Sequence, residues 1–379
     1  MHTRAMIMTE QEKCMETLAF EKYGGITSAA NSLRKYFGLP QYHESLPVLD
    51  QWLNEGRFRC VCAVLVDAMG TSVLEEHCRL ESFFMDHIAA SLTSTFPPTT
   101  SAATTSFRTG KSPKENGWLG WNQYFAEKND NIILFRNMSQ YKDAHYGNYS
   151  YEQLPVSFIT DEINQKGLHA DEVWPGWSLH NGCASYEDEL ELAEILCHNN
   201  NFIYVYWDQL DTFMHHNGPS CNETGTMVRD IEQKTKEFAR RLPADTGLLV
   251  LADHSQIDVV QKDFTHDADL ISTFRAEPAL EPRTVAFYIK DEKRESFERQ
   301  FAEKLAPHFR LYTKEEVLRS SIFGTGIPAA RYAEMIGDYL AVGEDNTQFI
   351  YKRGLGVKGD HAGHTKEEAM IPLILFNKS

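Results

Sequence analysis

The chain has 379 residues, 42% hydrophobic and 24% charged, enough for one large α/β core with insertions or for two domains. A formal net charge of -17 excludes a natural fit to nucleic acid polymers, because each phosphate would enter a like-signed field, whereas a small phosphorylated substrate captured through metal stays open. The first residues form no apolar leader and no window reaches the roughly 18 apolar residues of a membrane span, so a cytoplasmic protein without membrane contact is expected.

Residues 9–56 show helical spacing punctuated at Gly24-Gly25 and Leu39-Pro40, which predicts a helical N-terminal extension over 1–57 ahead of a catalytic domain over 58–379. Cys60 to Val66 is an uninterrupted apolar run of the kind found in strands buried on both faces. Comparable runs follow at Phe202 to Trp207, Leu248 to Ala252 and Ile371 to Phe376, separated by helical patterns at 71–88, 153–165, 185–198 and 223–241. That alternation predicts an α/β fold with a mostly parallel central sheet and helices on both faces. Residues 113–182, rich in Asn, Tyr, Trp and Gly, read as a cap-like insertion. Residues 282–318 read as a small α/β appendage with a capping box at Thr313-Lys314-Glu315-Glu316. Seven cysteines without zinc-finger spacing predict reduced thiols rather than a disulfide framework.

Chemistry-bearing residues stand just beyond these apolar runs. Asp67 follows the first strand directly, where ligands bind in open α/β sheets; a helix cap near Thr71 is the competing reading. Pro97-Pro98 ends any strand and places Thr99 or Thr100 at a helix N-terminus, whose free N–H groups favour a phosphate oxygen or an ionised hydroxyl. A capped helix start is the plainer account. Asp211 and His215, four apart, share one helical face and suit zinc, manganese or iron, although surface pairs of this kind are common. Asp253-His254 ends the strand 248–252, so both residues can turn to the rim. His361, flanked by small residues, competes with His364 as a further ligand, and Asp360 could orient a histidine.

Together these residues occur in an order that resembles the alkaline phosphatase superfamily, most closely its type I phosphodiesterase and nucleotide pyrophosphatase branch. The segment Thr95-Phe96-Pro97-Pro98-Thr99-Thr100 followed by Thr109-Gly110 is similar to that branch's nucleophile segment and puts its threonine on Thr100. Asp211-Thr212-Phe213-Met214-His215 looks like its Asp-x-x-x-His motif, and Asp253-His254 and His361 match its remaining ligands. The resemblance covers about residues 58–376. It implies two divalent ions, zinc first and manganese second. One would be held by Asp211, His215 and His361, the other by Asp67, Asp253, His254 and the Thr100 oxygen. It further implies in-line attack by Thr100 on a phosphodiester or pyrophosphate bond, with a phosphothreonine intermediate.

Two departures bear on substrate. The branch usually carries an aromatic after its nucleophile, where this chain has Ser101, and its phosphate-contacting Asn falls on Trp121 with Asn122 beside it. Trp118, Trp121, Tyr124, Trp174 and Trp177 are candidates to stack on a base, a sugar or a choline-like cation. A phosphomonoesterase would need further cations, for which Arg108 and Lys111 are the candidates. A phosphonate hydrolase shares the same core, and a ligand-binding relative without catalysis is the reading from another class.

Overall fold

The structure, a computed structural model, describes residues 25–352, 354 and 356–378. The part of the expected N-terminal extension before residue 25 lies outside the described residues. The main sheet contains β1 (Cys60–Val66), β2 (Ile88–Thr93), β3 (Ala170–Pro175), β4 (Gly182–Cys183), β5 (Phe202–Trp207), β6 (Thr246–Leu251) and β7 (Met370–Asn377), in the order β2-β7-β6-β1-β5-β3-β4. Every residue of β1, β5 and β6 is buried, because helices cover both faces of the sheet and leave no solvated side for alternation to record. This is the expected mostly parallel α/β architecture.

One strand reverses direction. β7 runs antiparallel to both β2 and β6, with Met370 opposite Thr93 and Leu373 opposite Leu251. Its N-terminal end therefore lies on the rim where the parallel strands end, and the loop before it, carrying His361, arrives beside His254 and Asp211.

Four helices fix the rest of the frame: α1 (Ile26–Tyr36), α2 (Thr100–Thr109), α3 (Gln209–Asn217) and α4 (Asn222–Arg241). α1 buries Ile26, Ala29, Ala30 and Leu33 in the main core. It also binds the C-terminal end of α2, since Asn31 Nδ2 donates to Gly110 O at 2.8 Å and Arg34 Nη1 to Thr109 O at 3.0 Å. Those bonds satisfy carbonyls that a helix end leaves open. The single helix expected over 71–88 is split, and the one expected over 153–165 begins only at Ile159, after a separate helix ends at Gln153. In the first, Glu232 Oε1 takes the Phe84 N–H and starts a second short helix; in the second, Pro155 prevents continuation from Gln153.

A second seven-stranded sheet is antiparallel throughout and joins segments far apart in sequence. Asn122–Phe125, Asp130–Ile133 and Met138–Ser139 pair in turn and attach through Asn122 to Phe274–Leu280, which continues into Thr284–Ile289, Tyr339–Gly343 and Phe309–Thr313. Where the sequence reading has two separate insertions, the two segments thus pair in one sheet, and Ala170–Pro175 belongs to the main sheet. Pairing across some 150 residues leaves no local signal. The capping box at Thr313 and Glu316 is present.

Candidate active site

Asp67, the β2–α2 loop, α3, Asp253-His254 and the 359–364 loop converge on the rim. Two left-handed residues, Ala68 (φ 59) and Ala362 (φ 74), directly follow Asp67 and His361. Non-glycine residues in that region carry strain and are found where surrounding contacts force a sharp turn at a site. Gly70 is needed for close approach, since a Cβ there would lie 2.1 Å from Ser255 Cβ, next to His254.

Thr99 is the N-cap of α2 and Thr100 its first residue. Their hydroxyls separate. Thr99 Oγ1 donates to Glu281 Oε1 at 2.5 Å, while Thr100 Oγ1 lies 3.1 Å from His254 Nε2 and 3.3 and 3.5 Å from the Asp67 carboxylate oxygens. With the Thr99 side chain drawn away, the N-terminus of α2 has no side-chain cap.

Around Thr100 the acids and imidazoles form two overlapping groups. Ligand atoms of Asp211, His215 and His361 lie within 4.8 Å of one another, as do those of Asp67, Asp211 and His254. Asp253 sits beside the second group, its Oδ2 3.6 Å from His254 Nε2. Each histidine is oriented alike: Nδ1 faces a backbone carbonyl, at 2.8 Å for His215 to Gly359 O, 3.1 Å for His361 to Pro98 O and 3.1 Å for His254 to Ser255 O. With Nδ1 so engaged, each Nε2 is the ring nitrogen directed at the carboxylates of the cluster, as in metal-ligating imidazoles. Tyr206 OH and Gln256 Nε2 donate to Asp67 and Asp211, respectively.

Electrostatics point the same way. Burial, followed by the charges of Asp253 and Asp211, holds the Asp67 carboxyl well above the usual carboxylate range. Burial would lower His215 and His254, but Asp211 beside the first, and Asp253 and Asp67 beside the second, push each up to about 10. Against the effect of burial, His215 lowers Asp211. Burial and the His254 charge hold His361 well below its ordinary value. Three carboxylates crowded in a dry site thus draw positive charge onto His215 and His254, while His361 stays neutral. Asp253 Oδ2 is buried without a hydrogen-bond partner. An orphaned carboxylate oxygen among inward Nε2 atoms fits divalent cations.

Sequence comparison agrees with this geometry: residues 61–365 match the profile of the type I phosphodiesterase / nucleotide pyrophosphatase family. The chain belongs to that family, in the alkaline phosphatase superfamily, and is a hydrolase. A search of curated proteins returned no match. Solved structures share the fold. Human ectonucleotide pyrophosphatase/phosphodiesterase 5 superposes with a TM-score of 0.66 at 15% identity, over 84% of this chain and 88% of that one. The murine protein, as an inactive variant in complex with AMP, gives 0.63 at 16% identity, over 84% and 88%. Phosphonoacetate hydrolase from Sinorhizobium meliloti 1021, in complex with phosphonoacetate, gives 0.60 at 14% identity, over 84% and 90%.

In this phosphodiesterase-family hydrolase the cluster opens into a cleft of about 380 Å3 lined by Thr99, Thr100, Trp121, Asn122, Glu281 and Tyr351 among others. Trp118 is not among them. It is fully buried, packs on Phe135 and Tyr151, and donates Nε1 to Leu154 O at 3.1 Å, so its role is core and the substrate contact expected of it is corrected. Trp121 and Asn122 do face the cleft, with Asn122 Nδ2 bound to Leu280 O at 3.0 Å. His364 lies outside the cluster, its N–H bound to Gly343 O. Asp360 stands 3.9 Å from His215 Nδ1. Arg108 is spent on Glu172 at 2.7 Å beneath the Phe158 ring, and Lys111 lies 4.6 Å from the Tyr42 ring centroid. Neither lines the cleft.

Sequence reasoning missed Tyr206, Gln256 and Glu281. Tyr206 could have been found, since it lies one residue before the end of β5 and so near the rim. Glu281 carries no local signal. Burial pushes its carboxyl up to about 7, against the Thr99 hydrogen bond that favours its charged form.

Proposed function

We propose that the protein is a metal-dependent hydrolase that cleaves a phosphodiester or pyrophosphate bond of a small substrate through a phosphothreonine on Thr100. The observation that carries this reading is the position of the Thr100 hydroxyl, 3.1 to 3.5 Å from His254 and Asp67 at the uncapped start of α2. Asp211, His215 and His361 would hold one divalent ion, and Asp67, Asp253, His254 and the Thr100 oxygen the other, zinc being the first choice and manganese the second. When bound, such ions supply positive charge for the phosphoryl oxygens and favour loss of the threonine proton.

The chain's own groups do the positioning. The Nδ1 bonds to Gly359, Pro98 and Ser255 fix the imidazole rings, and Tyr206 and Gln256 orient the Asp67 and Asp211 carboxylates. The free N–H groups at the start of α2 receive a phosphoryl oxygen. Thr100 Oγ1, its proton lost to solvent, attacks phosphorus in line as the leaving group departs, and water then frees the phosphoryl group from Thr100. AMP in the murine neighbour and phosphonoacetate in the bacterial one are both small phosphorus compounds, which supports a substrate of that size. No described helix is long and apolar enough to cross a membrane.

The test is hydrolysis of bis-p-nitrophenyl phosphate, thymidine 5'-monophosphate p-nitrophenyl ester and p-nitrophenyl phosphate by protein of measured metal content, with zinc or manganese added. Preference for a diester is expected. Turnover of none of the three, with no metal retained, overturns the reading; monoester preference moves it to a phosphatase.

A further inference from the structure

Glu281 follows the strand Phe274–Leu280 and enters the cleft behind Leu280, which is held left-handed at φ 75. It is 7% exposed, and its Oε1 accepts both from Thr99 Oγ1 at 2.5 Å and from Trp121 N at 2.6 Å. A carboxylate is thereby fixed against the residue next to Thr100 and against the backbone of a cleft aromatic. No Lys or Arg pairs with it among the described residues. The single Lys or Arg among the described cleft-lining residues is Arg136, an exposed side chain 5.5 Å from the Trp121 ring centroid. Arg108, the cation expected to balance extra substrate charge in a phosphomonoesterase, is held by Glu172.

A phosphoryl group seated on Thr100 therefore shares the cleft with a carboxylate that is bonded to the neighbouring Thr99, is negative above about pH 7, and pairs with no Lys or Arg among the described residues. Like charges in a partly dry cleft repel, and the penalty grows with each charge on the substrate. We propose that Glu281 is the charge selector of this site: it admits a phosphoryl group with one negative charge and disfavours one with two. The substrate class is then narrowed to phosphodiesters and the internal phosphoryl groups of pyrophosphate compounds, against phosphomonoesters and phosphonate dianions. This rests on the reading of Thr100 as the attacking group.

The experiment compares kcat/KM for p-nitrophenyl phosphate, a dianion, with that for p-nitrophenyl phenylphosphonate, a monoanion with the same leaving group, at alkaline pH. The wild type, Glu281→Gln and Glu281→Ala are measured at equal metal content. Glu281→Gln retains an acceptor for Thr99 and Trp121 while losing the charge, so the dianion-to-monoanion ratio is expected to rise by about tenfold or more. Glu281→Ala must move the ratio in the same direction even if both rates fall, which separates charge selection from support of the fold. An unchanged ratio in both variants, or equal loss on both substrates, overturns the proposal. Failure of the wild type to cleave either substrate instead counts against the proposed function.

Discussion

At the scale of single residues, the site depends on which atom of each side chain is already taken. The three histidines spend Nδ1 on backbone carbonyls, so Nε2 alone is left for chemistry. Thr99 spends its hydroxyl on Glu281, which leaves Thr100 as the hydroxyl that faces Asp67 and His254. Thr100→Ala is accordingly expected to lower diester kcat by roughly 1000-fold or more. Bound metal should survive, because the Asp and His groups remain. Steady-state kinetics with metal analysis checks this; a variant that keeps its turnover would remove Thr100 from the mechanism, and a ligand-binding relative would show little change.

At the scale of elements, the loop before β7 brings His361 to the cluster, and a buried ion pair holds that loop. Arg283 bonds Glu368 through two nitrogens at 2.7 Å, both side chains fully buried, while Glu368 also accepts from Gly363 N at 2.7 Å and Thr365 Oγ1 at 2.6 Å. The pair links the second sheet to the His361 loop. Removing one partner from such a pair leaves an uncompensated charge, so Glu368→Ala is expected to cost about 3–5 kcal/mol in urea unfolding. An Arg283→Met, Glu368→Leu double variant should regain most of that stability, yet bind zinc more weakly because the loop still lacks its acceptor. Recovery of both together would mean that the pair supports the fold alone.

At the scale of the whole molecule, a chain of net charge -17 buries three of its carboxylates, Asp67, Asp211 and Asp253, in one cluster and balances them with protons in the absence of metal. His215 and His254, raised from 6.5 to about 10, contribute stability that is full below about pH 6.5 and lost as pH rises toward 10. The raised Asp67 and Asp253 act in the same direction, since burial favours their protonated forms. Chelator-treated protein should therefore melt at progressively lower temperature between about pH 7 and 10, and zinc or manganese should flatten that decline by replacing the protons. Thermal melts with and without chelator decide it: parallel curves would speak against metal at this cluster.

By itself the sequence determined the class of fold and pointed to candidate residues that the structure brings together at the rim, because both are written locally. Apolar runs mark strands covered on both faces, and a ligand at a strand end is necessarily near the rim. Three outcomes were left to the tertiary structure. The reversal of β7, the union of 122–139 with 274–343 in one sheet, and the meeting of Glu281 with Thr99 all join residues far apart in the chain. Hydrophobic pattern fixes which face of an element is buried but not which distant partner covers it, and the burial of Trp118, like the drawing of the Thr99 hydroxyl toward Glu281, follows from that partner.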